Sequence, residues 1–338
     1  MSLRLTAILA SVSGLALSVS AALAQEVNVY SHRQPELVQP LFDAFTAQTG
    51  IAVNVAFVNK GMAERLKAEG ARSPADLVMT VDIARLAQVV AAGVTQPVLS
   101  ETLNANIPAA FRDADNQWFG LTSRARVVFA SKDRVPDGAV STYEDLADPK
   151  WKGRICSRAG THDYNLALLA AVIDHHGVQA ARNWAKGLHD NLAKRPEGGD
   201  RDQVKSIWAG ECDISLGNTY YMGEMMANPD QRKWADSVRI IFPTFAEGGT
   251  HVNISGMAMT KSAPHREDAL KLMEFLTSEP AQKIYAEINH EFPLRPGVAR
   301  SELVESWGSF IPDSADLSSL AANRPQALKL MEEINFDG

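Results

Sequence analysis

The sequence predicts an α/β fold: two open, mainly parallel sheets joined by a two-strand hinge. Three observations carry this. Over residues 27–92 strand-like and helix-like runs alternate, the rhythm of a parallel sheet with helices on both faces. A second alternating unit opens near Thr142. Two strand-like stretches, 117–130 and 238–243, lie where the chain would cross out of the first unit and return. Two sheets with two crossings make a cleft, and open α/β sheets bind ligands at the carboxyl ends of their strands.

The chain begins with Arg4 and an apolar run over 5–23 that closes on small residues before Gln25. That is the pattern of a secretory signal peptide, residues 1–24, cut after Ala24. The alternative is a membrane anchor, but Ser11, Ser13, Gly14, Ser18 and Ser20 interrupt the run. No cysteine stands at the cleavage point, so lipid anchoring is not expected there. An exported protein without an anchor suits a periplasm. The expected first lobe is discontinuous, 25–122 plus about 244–300, with the second lobe at 123–243 and a C-terminal helical tail at 301–338.

Within the first unit, 27–31 reads as a strand and 35–48 as a helix with Leu37, Leu41, Ala44 and Phe45 on one face. Strands at 51–58 and 75–80 alternate with helices at 63–70 and 83–92, the last capped by Asp82 and stopped by Gly93. In the second unit 155–157 is a short strand. A helix follows from about Thr161 to Gly177, another over 178–188, and a third over 203–210. The strand 211–217 then hands over to a helix that covers 222–227. Helices at 266–276 and 279–289 precede the tail.

A net charge of −7 gives no support to nucleic-acid binding. There is no phosphate-binding Gly-x-x-x-x-Gly-Lys, no Gly-x-Ser-x-Gly elbow and no His-Glu-x-x-His, so an exported enzyme finds no catalytic constellation. Cys156 and Cys212 would meet an oxidising compartment; they form either one disulfide or two buried thiols. Each lies eight residues before a tyrosine, Tyr164 and Tyr220, which suggests neighbouring strands feeding similar turns.

Three of the six tyrosines, Tyr164, Tyr220 and Tyr221, fall in the first turn of an expected helix in the second unit. A free phenol is neutral at pH 7, with a pKa of about 10. A hard, highly charged cation such as Fe(III) prefers oxygen donors and stabilises the phenolate. Taken alone, Tyr164 reads equally well as a half-buried aromatic at a cleft edge.

Several stretches together resemble one family. They are Val29-Tyr30-Ser31-x-Arg33, Ser73-Pro74-Ala75-Asp76, Thr122-Ser123-Arg124-Ala125-Arg126-Val127, Cys156 with Tyr164-Asn165, Gly217-Asn218-x-Tyr220-Tyr221 and His251-Val252-Asn253-Ile254-Ser255-Gly256. From Val27 to about Pro296 the chain resembles the periplasmic ferric-iron-binding proteins of ABC importers, within the type II solute-binding superfamily. The resemblance implies a two-lobed type II periplasmic binding protein that captures Fe(III) in the interlobe cleft and delivers it to an inner-membrane ABC permease. It implies Tyr164, Tyr220 and Tyr221 as iron ligands, and Arg124 as an arginine near the metal that balances charge or holds an anion such as carbonate. In the first lobe the family often supplies a His or Tyr where this chain has Gln34 and Pro35, and some members place a carboxylate where it has Val81. His32 is the remaining candidate ligand there, with Arg33 and Gln34 placed around the metal or its anion. Many relatives carry an arginine at the position of Glu224. A monomeric binding protein without enzymatic activity is expected. The alternatives are the same fold holding an organic anion or other small solute, and an exported enzyme.

Overall fold

A computed structural model of the chain describes residues 25–33 and 35–338. The expected signal peptide and Gln34 lie outside the described residues. In chain order the first unit holds β1 (Glu26–Ser31), α1 (Pro35–Thr49), β2 (Ala52–Phe57), α2 (Met62–Glu69), β3 (Leu77–Thr80), α3 (Ile83–Ala91), β4 (Thr95–Gln96) and α4 (Glu101–Asn106). The long β5 (Phe119–Ser131) leads to β6 (Ile155–Cys156), α5 (Asp163–Asp190), α6 (Asp200–Ala209), β7 (Ile214–Asn218), α7 (Tyr220–Ala227), α8 (Arg232–Asp236) and β8 (Val238–Ile241). The chain then runs through β9 (Val252–Thr260), α9 (Arg266–Leu276), α10 (Glu279–Ile288), β10 (Phe292–Pro293), α11 (Glu302–Glu305) and α12 (Leu317–Glu333).

The alternation expected over 27–92 is present. Helix α1 turns Val38, Leu41, Phe42 and Phe45 inward. At the start of α3 the Asp82 carboxylate accepts the Ala84 N–H at 2.8 Å, the cap read from the sequence. Helix α5 bends at Gly177, whose φ of 77° and ψ of 168° are not helical, so the two expected helices meet there.

The sheet order is β2-β1-β3-β9-β5-β7-β6. The parallel ladders sit at its two ends, β2-β1-β3 and β7-β6, while the central pairings are antiparallel. The sheet is therefore mixed, because two strands cross the molecule in opposite directions. Strand β5 is one of them: residues 119–125 pair with β9 and residues 126–131 with β7 and β8. The return crossing is β9, whereas the stretch 238–243 had been expected to make it. Strand β8 pairs with β5 over 128–131 and stays in the second unit. Burial separates the two strands. All nine positions of β9 are buried, as a strand through the centre requires, whereas three of the four in β8 are only partly covered, as on an edge.

The tail does more than cover one lobe. Helix α12 packs against α5 of the second unit and α3 of the first. No helix among the described residues is long and apolar enough to cross a membrane.

Candidate metal centre

Two helix N-termini bring three phenols together. Tyr164 is in the first turn of α5, where the His162 ring nitrogen Nδ1 accepts the Tyr164 N–H at 3.2 Å and so caps the helix. Tyr220 and Tyr221 open α7, directly after β7. The two turns are neighbours because β6 and β7 pair in parallel. A disulfide joins Cys156 to Cys212, with the Cα atoms 5.8 Å apart, and resolves the choice that the sequence left open. The hydroxyls of Tyr164 and Tyr220 lie 3.1 Å apart, and the rings of Tyr220 and Tyr221 are 4.3 Å apart. Sequence positions separated by 56 residues thus share one cavity of about 210 Å³.

Three guanidinium groups stand around the Tyr164 ring. Arg124 is 2 % exposed, and none of its three side-chain nitrogens finds a hydrogen-bond partner among the described residues. Burying an unpaired charge is costly, so this side chain calls for an anion. Its Cζ is 5.9 Å from the Tyr164 ring centre, and those of Arg126 and Arg158 are 5.8 and 5.0 Å away. The last two converge on one buried carboxylate: Asp200 accepts from Arg126 at 2.6 Å, from Arg158 at 3.0 Å and from the Asn218 N–H at 2.9 Å. Asp200 braces both phenol-bearing turns, yet in the sequence it is indistinguishable from a solvated acid at a helix start.

The phenols of Tyr220 and Tyr221 are held protonated. Burial pushes the Tyr220 hydroxyl well above its ordinary pKa, and the phenols of Tyr164 and Tyr221 add to this. Tyr221 is raised by burial first, then by Tyr164 and Asp200. These groups ionise at neutral pH only if a cation replaces the proton.

Across the cleft, the residues expected from the first lobe have different surroundings. Arg33 donates to Glu291 at 2.7 Å and to Ser255 at 2.7 Å. Burial opposes its charge and the Glu291 carboxylate outweighs that, so Arg33 is a neutralised pair and offers little to an anion. His32 lines the cavity, and its buried Nδ1 has no hydrogen-bond partner among the described residues. Burial lowers its pKa to about 4, with Arg85 acting the same way and Asp163 opposing. The ring is neutral at pH 7 and has a lone pair to give. Val81 also lines the cavity and has no donor atom. Glu224 lines it too; burial raises its pKa, with Arg201 and Arg33 opposing.

The site is therefore three phenols, a neutral imidazole and an unpaired guanidinium, facing one another between two lobes. The model of the bacterial extracellular solute-binding proteins matches residues 40–311. The chain belongs to this family. As a solute-binding protein it has relatives that bind iron. It is 44% identical to iron uptake protein A1 of Synechocystis sp., across 92% of this chain and 88% of that protein. Among solved structures, apo ferric ion-binding protein A of Pasteurella haemolytica superposes with a TM-score of 0.89 at 48% identity, covering 93% and 99% of the two chains. The Trichodesmium protein solved in complex with iron and citrate ligands superposes with a TM-score of 0.87 at 43% identity, covering 92% and 99%. The two-lobed type II fold read from the sequence is thus the fold of its relatives, and the chain is a binding protein, not an enzyme.

Proposed function

We propose that this solute-binding protein captures Fe(III) in its interlobe cleft through the tyrosinates of Tyr164, Tyr220 and Tyr221. In this reading it works in the periplasm as a monomer and delivers the ion to an inner-membrane ABC permease. The observation that carries the reading is the meeting of three phenols beside the unpaired Arg124 guanidinium. The iron named in its relatives supports the same cargo. Three phenolates cancel the charge of Fe(III), and an octahedral ion has further positions to fill. His32 reaches from the first lobe for one of them, and Arg124 favours an anionic oxygen, such as one of carbonate, at another. Arg33, held by Glu291, steadies the cleft wall, and Gln34 is kept as a candidate beside the metal or its anion on the strength of the resemblance alone.

Closure follows from ligands on two lobes. We place the change of lobe near Ser123 on β5 and near Val252 on β9, with the tail 301–338 lying over both. An ion bound by both lobes stabilises the closed form, which a permease can distinguish from the open one.

The visible spectrum tests this directly. With Fe(III) the protein should turn orange to red through phenolate-to-metal charge transfer, with one iron per chain by metal analysis. A protein that stays colourless with Fe(III) at neutral pH, with and without bicarbonate, overturns the reading.

A further inference from the structure

Glu224 belongs to none of the groups assigned so far, yet it faces the same cavity as the three phenols and Arg124. It sits on α7, four residues after Tyr220 and three after Tyr221, the spacing that stacks side chains on one helical face. Its carboxylate forms no hydrogen bond among the described residues. Arg201 Nη1 approaches to 3.7 Å, too far for a hydrogen bond. The first-lobe cation nearby, Arg33, is already neutralised by Glu291. One cavity thus holds a guanidinium with no hydrogen-bonded partner among the described residues and a carboxylate whose nearest cation, Arg201, stands off at 3.7 Å. A hard cation seated among the phenols would be bound by that carboxylate as it is by phenolates, because carboxylates are oxygen donors of the same kind.

We infer that Glu224 supplies a fourth protein oxygen to the ferric ion, a built-in anion in the place a dissolved carbonate would fill. The inference rests on the tyrosinate reading of the site. It has a mechanistic consequence. Glu224 and the three tyrosines all stand on the second unit, on α5 and α7, so most of the coordination shell exists before the lobes close. Iron loads onto one lobe, and closure follows.

The test compares the full mature chain with Glu224→Gln, which keeps the shape and removes the charge. Iron is supplied as ferrous chloride oxidised by CO2-free oxygen, in buffer with and without bicarbonate. The wild-type protein should colour fully without bicarbonate, and bicarbonate should change its affinity by less than about twofold. Glu224→Gln should bind roughly tenfold or more weakly without bicarbonate, show a displaced charge-transfer band, and recover when bicarbonate is added. If Glu224→Gln misfolds by circular dichroism, Glu224→Ala is read in the same way, and the wild-type arm decides by itself. A wild-type protein that colours only with bicarbonate, or a variant with the wild-type band and affinity, overturns the inference while leaving the tyrosinate site standing. No colour in either protein in either buffer overturns both.

Discussion

Tyr220 is half-buried beside two other phenols, and its hydroxyl holds its proton far above neutral pH. Any ferric ion must displace that proton and the neighbouring ones, so iron affinity should fall steeply as pH falls. Titration from pH 7.5 downward should bleach the coloured complex. Tyr220→Phe and Tyr164→Phe should each weaken iron binding about tenfold or more, measured by competition with a chelator, and unchanged affinity in both would move the site elsewhere. A second acid effect concerns folding. His251 is buried between the crossing strands and its pKa is lowered to about 3, by burial first, with Arg126, Arg124 and His175 acting the same way and Asp313 opposing. A histidine unfolded at about 6.5 takes up its proton first as pH falls, so the unfolded state gains. The stabilisation is complete above pH 6.5 and is lost progressively down to about 3. Urea unfolding at stepped pH should show that acid limb, and His251→Gln should flatten it. At this scale the three tyrosines and His32 were legible because each carries donor chemistry. Asp200 and the pairing of Arg33 with Glu291 were not, since a carboxylate reveals nothing of its partners until distant segments meet.

Among the elements, the pair β6 and β7 matters most, because each leads into a phenol-bearing turn. The disulfide closes a sequence separation of 56 residues across them. In the chain-entropy model, restricting the unfolded chain to that extent stabilises the fold by about 4 kcal/mol. Reduction, or the double replacement Cys156→Ser with Cys212→Ser, should lower the unfolding midpoint accordingly and weaken iron binding as the two turns lose register; chemical denaturation and iron titration check both. Most elements were visible as periodic runs ended by glycine. The exchange between β8 and β9 was not. Both read as apolar strands, and only the burial of every β9 side chain from two sides tells the central one from the edge.

For the molecule as a whole, an ion triad beside Tyr164 ties α5 of the second unit to α3 of the first and to α12. Asp163 pairs with Arg85 of α3 at 2.8 Å and with Arg324 of α12 at 2.5 Å. All three are partly exposed, so the triad is worth on the order of 1 kcal/mol. Asp163→Asn should shift the iron-free protein toward open forms and raise its radius of gyration in small-angle scattering, with the iron-loaded form unchanged. No change in the iron-free form would mean the triad does not hold the lobes.

The sequence by itself determined the α/β rhythm, the three phenols at helix starts and the absence of catalytic motifs, because those are local patterns of period and residue type. Only the tertiary structure decided which strand returns between lobes, that Arg124 is left unpaired while Arg33 is neutralised, and that Glu224 faces the phenols. Each of these depends on which residues become neighbours across long separations, and charge and burial take their meaning from neighbours.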